Sequence, residues 1–100
     1  MSPLTETVVR TPRRFEIALP GGAVAFADYH VEEGSIVFPH TVTPPAFRGQ
    51  GLAARIAEAA LAYAREQELK VRPHCSFFRD YITARPDLHD LVHPDERASL

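Results

Sequence analysis

Hydrophobic and polar residues alternate over residues 14–19. Alternation with a period of two is typical of a strand that buries one face. The Pro-Gly-Gly sequence at residues 20–22 supplies the backbone freedom of a tight turn. Two further apolar runs, residues 23–31 and 35–42, are separated by a second turn sequence, Glu-Glu-Gly-Ser. The pattern therefore predicts an antiparallel meander of three strands.

The period changes over residues 51–69, where apolar side chains recur at helical spacing. Leu52, Ile56, Ala60 and Tyr63 fall on one stripe, and most charged residues of the segment lie away from it. Alanine, which is frequent here, has the highest helix propensity and permits close packing. The segment predicts one long helix that packs on the sheet.

A fourth strand and shorter helices are predicted after the long helix. Residues 70–75 form a short strand candidate, which Pro73 places at an edge or beside a gap because proline cannot donate a ladder hydrogen bond. A strand, helix and strand in this order imply a parallel crossover. Residues 76–84 predict a short helix and residues 87–92 one more turn. The fold class is therefore α/β (α+β), with a mixed sheet.

The ends of the chain carry few periodic apolar residues. We expect residues 1–12 to be a flexible tail, because they are polar and rich in threonine and proline. Residues 13–93 are expected to form a single domain, and residues 94–100 a frayed C-terminus. A length of 100 residues suits one globular domain.

Composition narrows the class of protein. The formal net charge is −2, so the chain lacks the basic field that nucleic-acid binding requires. The single cysteine excludes an intrachain disulfide and indicates a reducing compartment. There is no apolar run of membrane-spanning length and no signal peptide pattern. We expect a cytoplasmic protein without a membrane or nucleic-acid partner, and no metal, because the five histidines show no ligand spacing.

The candidate chemistry lies where the third strand gives way to the long helix. Gly49 and Gly51 let the backbone approach a ligand, and the unpaired amides of the helix start favour an anion. Arg48 could add a cation. A glycine-rich helix start without a ligand remains the alternative.

Two well-known phosphate loops fit this segment poorly. A P-loop needs lysine and then serine or threonine after its second glycine, whereas Leu52 and Ala53 follow here. The sequence GQGLAA at residues 49–54 matches the dinucleotide-binding pattern G-x-G-x-x-A, but that motif also needs an acidic residue about 20 positions later. The chain has His74 and Cys75 at the corresponding strand end.

A third loop type matches better. The sequence Arg-Gly-Gln-Gly-Leu-Ala at residues 48–53 resembles the acetyl-CoA diphosphate loop of the GNAT superfamily of N-acetyltransferases, whose pattern is Q/R-x-x-G-x-G/A. A compact subfamily of about this length is more similar still. Its members resemble His-Thr-Val-x-Pro at residues 40–44 and Pro-x-Cys-Ser-Phe at residues 73–77, followed by Tyr81 and Ile82. The resemblance extends over about residues 15–92.

This resemblance implies a short GNAT-type fold and an acetyl-CoA-dependent N-acetyltransferase that acts on an amine. It also implies that the third and fourth strands splay apart, so that free backbone groups pair with the pantetheine arm. A backbone amide near residues 40–42 would stabilise the oxyanion. The implied coenzyme contacts are Thr41, Val42, Arg48, Gly49, Gln50, Gly51, Leu52, Ala53 and Ser76.

Three residues are candidates for catalysis. Cys75 could accept the acetyl group covalently, or it could only line the thioester pocket. His40 could act as general base on an amine or on Cys75, or it could be a histidine satisfied at a strand end. Tyr81 could protonate the departing CoA thiolate, or it could be a core ring among its aromatic neighbours.

Other functions remain open at this point. The acceptor is a small-molecule or peptide amine, and the protein is expected to be a monomer or weak homodimer. A non-catalytic acyl-CoA-binding or protein-interaction module is the main alternative, because little chain is left to build an amine cleft. A nucleotide-binding regulator that uses the same loop is a weaker one.

Overall fold

One long helix packs against two small sheets that share a hydrophobic core. The computed structural model describes residues 7–100 of the chain. Its strands are β1 (Val9–Arg10), β2 (Arg14–Ala18), β3 (Val24–Asp28), β4 (His30–Glu32), β5 (Ser35–Val37), β6 (Thr41–Val42) and β7 (Lys70–Arg72). Its α-helices are α1 (Leu52–Glu66) and α2 (Ser76–Thr83), and two longer 3-10 helices follow at Pro86–Leu91 and Pro94–Ser99.

The strands form a four-stranded sheet in the order β1-β2-β3-β6 and a three-stranded sheet in the order β4-β5-β7. The four-stranded sheet is antiparallel throughout. The second and third predicted strands are therefore each divided between the two sheets. The breaks fall at Tyr29, which is buried, and at Phe38, which is fully buried against Phe78 with ring centroids 4.3 Å apart. Pro39, next to Phe38, cannot continue the ladder because it lacks an N–H group.

The parallel crossover is confirmed. β5 pairs with β7 in parallel register, with Ser35 opposite Lys70. The pairing ends where the Cys75 amide donates to the Phe38 carbonyl at 2.9 Å. Beyond that point β6 pairs with β3, and the chain after Cys75 begins α2. The two strands thus part at the place where the resemblance implied a splay.

The helices agree with the sequence periodicity. α1 buries a stripe that packs against β2 and β3, and its buried residues are Leu52, Ile56, Ala57, Ala60, Leu61 and Ala64. The helix ends at Glu66, a few residues before the predicted end, because Glu68 adopts a left-handed conformation with φ 57°. None of the helices within residues 7–100 is long and apolar enough to cross a membrane.

The expectations for the two ends need correction. Residues 9–10, expected within a flexible tail, form β1 on the edge of β2, and Arg10 donates a hydrogen bond to the Tyr29 hydroxyl. Residues 94–100, expected to fray, contain a 3-10 helix. Glu96 of this helix forms ion pairs with Arg72 of β7 and with His74. Contacts with distant residues order both segments, and local composition does not reveal such contacts. Residues 1–6 lie outside the described part of the chain.

Candidate functional site

The loop before α1 leaves the amides of the helix start without intrahelical partners. Gly51 is the N-cap residue and lies in the left-handed region, with φ 75° and ψ 15°. Gly49 has φ 85°, which is also readily adopted only by glycine. Gly51 has no side chain with which to cap the helix, and the Arg55 amide donates to the Gly51 carbonyl. The helix start therefore has the free donors and the positive dipole end that an anion requires.

Open space lies beside these amides. A Cβ atom added at Gly49 or at Gly51 would meet no atom within 4 Å. A groove of about 230 Å³ opens here, and it is lined by Thr43, Phe47, Arg48, Gly49, Gly51, Leu52, Ala53, Ala54 and Phe77. The Arg48 Nε donates to the Thr43 carbonyl at 3.4 Å, which holds a cation at the same groove.

A second groove adjoins the first one at the edge of β6. Its volume is about 280 Å³, and it is lined by Thr41, Val42, Thr43, Arg48, Ala53 and Phe77. The two grooves share four of these residues, so they form one channel from the helix start to β6. β6 is the last strand of its sheet and pairs with β3 alone among the described strands. Its other edge is available to an extended ligand.

Cys75 lies across the gap from β6. It is the N-cap residue of α2 and is half-buried. Its thiol donates a hydrogen bond to the Thr41 hydroxyl, with Sγ and Oγ1 3.2 Å apart. Arg79 fixes the chain just before Cys75 by donating to the carbonyls of Pro73 and His74. The thiol therefore has a defined position beside Thr41, which lines the second groove.

Most of the predicted coenzyme contacts come together in this channel, but three of them have lesser roles. Gln50 and Ser76 are exposed and line neither groove. The Leu52 side chain is buried in the core, so the residue offers mainly its backbone amide.

His40 does not contact Cys75. Its imidazole is 73% exposed, and its Nδ1 lies 3.8 Å from Asp28 Oδ2. Consecutive residues of a strand point to opposite faces, so Thr41 faces Cys75 while His40 faces Asp28. The structure therefore records no contact through which His40 could act on the thiol.

Tyr81 lies apart from the channel. The Arg85 guanidinium stacks on its ring at 3.7 Å. The ring lines a different groove of about 530 Å³ between α1 and the segment after α2, together with Glu58, Leu61, Ala62, Arg65, Glu66, Arg85, Asp87 and Leu88. A role in protonating a thiolate near Cys75 therefore stays a prediction without a supporting contact.

Sequence reasoning missed two features of the site. Phe77 lines both grooves, whereas the sequence offered it only as the last residue of the Pro-x-Cys-Ser-Phe motif. Asp28 faces His40, but the two residues are twelve positions apart and no local pattern links them. Within residues 7–100 no group of three or more histidine, cysteine, aspartate or glutamate side chains could hold a metal ion.

Comparison with known proteins agrees with this geometry. A family profile described as GCN5-related N-acetyl-transferase matches residues 14–91. Protein NATD1 from Xenopus tropicalis is 34% identical over 80 residues, which cover 77% of this chain and 72% of that protein. Protein NATD1 from Homo sapiens is also 34% identical, over 77% of this chain and 70% of that protein. The NMR structure of a GCN5-like protein from Staphylococcus aureus superposes with a TM-score of 0.72 at 24% identity and covers 90% of both chains.

Proposed function

This chain belongs to the GCN5-related N-acetyltransferase family, and we propose that it transfers the acetyl group of acetyl-CoA to a small-molecule or peptide amine. The observation that carries the proposal is the pair of adjoining grooves that lead from the start of α1 to Thr41, whose hydroxyl contacts the Cys75 thiol. One end of the channel suits a diphosphate and the other end suits a thioester.

The residues at the helix start fit the diphosphate of coenzyme A. The amides of the first turn and the helix dipole favour negative charge, and the left-handed glycines leave the approach open. Arg48 adds a charge-assisted contact. Leu52 and Ala53 follow Gly51 where a P-loop would carry lysine and serine or threonine, so the loop lacks the side chains that hold a γ-phosphate and magnesium.

The other end of the channel suits the pantetheine arm and its thioester. The free edge of β6 offers backbone groups to an extended chain that has amides of its own. Phe77 and Ala53 supply apolar walls. The thioester would lie beside Thr41 and Cys75, where the channel ends.

We propose direct transfer as the chemical route. The amine nitrogen forms a bond to the thioester carbonyl carbon, and a general base takes a proton from that nitrogen. The carbon–sulfur bond then breaks to release the CoA thiolate, which takes up a proton from the protonated base or from water. A backbone amide of residues 40–42 would stabilise the oxyanion. In the covalent alternative Cys75 accepts the acetyl group first and the amine then removes it.

The first experiment measures acetyl-CoA affinity by calorimetry in the wild type and in Gly51→Ala. We expect a loss of about tenfold or more in the variant, because alanine strains the left-handed N-cap and moves the amides. Gly34→Ala is the matched control, since Gly34 has φ 80° and equally open surroundings in the turn between β4 and β5. Both variants should lose about 1 kcal/mol of stability, and only Gly51→Ala should lose affinity.

The second measurement follows free CoA thiol released in the presence of amines and lysine peptides. Amine-dependent release supports the transferase. Tight acetyl-CoA binding without turnover on any amine would favour a non-catalytic acyl-CoA-binding module. Failure of the wild type to bind acetyl-CoA, or equal affinity losses in both glycine variants, would contradict the proposal.

A further inference from the structure

Three polar side chains, Arg14, Asp28 and His40, form a row across the four-stranded sheet. Arg14 lies opposite Asp28 in the β2–β3 register, and the Asp28 amide donates to the His40 carbonyl at 2.9 Å. Asp28 Oδ1 accepts from Arg14 Nε at 3.1 Å, and Asp28 Oδ2 lies 3.8 Å from His40 Nδ1. The Asp28 carboxylate is thus shared between a fixed cation and an imidazole.

This row occupies the face of the sheet that points away from α1. Phe15 and Ala27, the neighbours of Arg14 and Asp28 along their strands, are buried and lie opposite each other. Because side chains alternate along a strand, Arg14 and Asp28 project to the other face. His40 projects with them, while the next residue, Thr41, contacts Cys75. His40 therefore directly precedes Thr41, which borders the proposed thioester position, but its imidazole projects from the opposite face of the strand.

The tautomer of His40 decides which of its ring nitrogens can act as a base, because only the nitrogen without a proton can accept one. Nδ1 is the ring nitrogen recorded nearest to the Asp28 carboxylate, at 3.8 Å, and the negative charge of that carboxylate favours the proton on Nδ1. The neutral imidazole then has its lone pair on Nε2. Nε2 is the nitrogen that can accept a proton from an incoming amine, and the side chain is 73% exposed.

We propose that Asp28 is a positioning residue, which holds the His40 imidazole with Nε2 free to take the proton of the acceptor amine. The inference rests on the proposed acetyl transfer and adds the direction of approach: the amine arrives across the open face of the sheet. Arg14 fixes the other carboxylate oxygen and so limits the positions that Asp28 can adopt.

The chain contains a matched control pair. His30 Nε2 lies 3.2 Å from Glu32 Oε1, and both side chains are more than half exposed on β4. This pair has the same chemical groups but belongs to the other sheet. Glu32→Ala therefore removes a carboxylate beside an imidazole without touching the His40 row.

The first readout is the tautomer of His40, which is measured from the ¹⁵N chemical shifts of its two ring nitrogens. We expect the Nδ1–H form in the wild type and in Glu32→Ala. In Asp28→Ala we expect a shift toward the Nε2–H form, because the negative charge beside Nδ1 is gone. This readout does not depend on turnover, so it remains informative if the proposed function fails. An unchanged tautomer in Asp28→Ala would overturn the positioning role.

The second readout is the steady-state rate with an amine acceptor. Asp28→Ala should lower kcat about tenfold, leave acetyl-CoA affinity unchanged and have no further effect in a His40→Gln background. Asp28→Glu should recover part of the rate, and Glu32→Ala should match the wild type. A lowered acetyl-CoA affinity with unchanged kcat, or additive effects of the Asp28 and His40 substitutions, would overturn the proposal. A wild type without amine-dependent turnover would overturn the proposed function and the base role of His40 together.

Discussion

At the scale of single residues, the Cys75–Thr41 contact bears on the choice between direct and covalent transfer. The Cys75 thiol is hydrogen-bonded to the Thr41 hydroxyl, with Sγ and Oγ1 3.2 Å apart. A neutral thiol becomes a strong nucleophile only where a base or a positive charge beside it favours the thiolate. No hydrogen bond joins His40 to Cys75 among residues 7–100. Cys75 therefore has a polar partner but lacks an adjacent base.

We predict that Cys75→Ala retains amine-dependent turnover within about threefold of the wild type, because general base catalysis on the amine does not need the thiol. Intact-protein mass spectrometry after incubation with acetyl-CoA alone should show an unmodified chain. Thr41→Val, which removes the hydroxyl that accepts from Cys75, serves as the control for changes in channel shape. One added acetyl group on Cys75, together with an inactive Cys75→Ala variant, would establish the covalent route instead.

The same scale shows which site residues a sequence can reveal. Gly49 and Gly51 were identifiable because a left-handed backbone conformation favours glycine, and glycines just before a helical segment can be recognised in the sequence. Asp28 was not identifiable, since its role arises from the pairing of β3 with β6. The role of Tyr81 stays a prediction: its place in a motif suggested chemistry, whereas the fold places its ring beside Arg85 in another groove.

At the scale of elements, helices were predicted more accurately than strands. The 3.6-residue period of α1 is set by its own residues, and the observed helix differs from the predicted one mainly at its C-terminal end. The breaks in the second and third strands arise from the burial of Tyr29 and Phe38 against distant residues. Tertiary contacts of this kind override local strand patterns.

The C-terminal 3-10 helix, Pro94–Ser99, depends on a charged cluster that can be tested by pH. Glu96 accepts hydrogen bonds from His74 at 3.0 Å and from Arg72 at 3.1 Å. These two groups lower the pKa of Glu96, with His74 as the larger cause. His93 and Asp95 contact the other side of the Arg72 guanidinium. A carboxyl whose pKa is lowered by folding stabilises the folded state at pH values above its ordinary pKa.

We predict that Glu96→Gln lowers the free energy of unfolding by about 1 kcal/mol at neutral pH. The Glu96 contribution should be complete above about pH 4.5, its ordinary value, and should disappear as the pH falls through the lowered pKa of the folded state. Urea unfolding of both proteins over this range should therefore give curves that converge at acid pH. Asp95→Asn is the control, because Asp95 is 74% exposed and lies 3.8 Å from Arg72, so it should change stability little. A Glu96→Gln deficit that persists unchanged at acid pH would contradict this account.

At the scale of the whole molecule, the proposed coenzyme channel joins parts of both sheets. β6 belongs to the four-stranded sheet, while Cys75 follows β7 of the three-stranded sheet. Between them, the fully buried rings of Phe38 and Phe78 stack at the point where the strands part. A ligand in the channel would contact β6, the start of α1 and the start of α2, so it would link all the major elements of the fold.

We predict that acetyl-CoA raises the unfolding temperature of the entire domain in one cooperative transition. A ligand at 100 times its Kd adds about 2.7 kcal/mol to the stability of the folded state, which corresponds to roughly 10 to 20 °C for a domain of this size. Far-UV circular dichroism and tyrosine fluorescence should show the same shift, because the three tyrosines lie on β3–β4, α1 and α2. ATP and NAD at equal concentration should shift the transition less, since they lack the pantetheine arm that fits along β6. An equal or larger shift of the unfolding temperature with ATP or NAD would favour a nucleotide-binding regulator. A shift seen by only one of the two spectroscopic probes would mean that the ligand does not stabilise both sheets together.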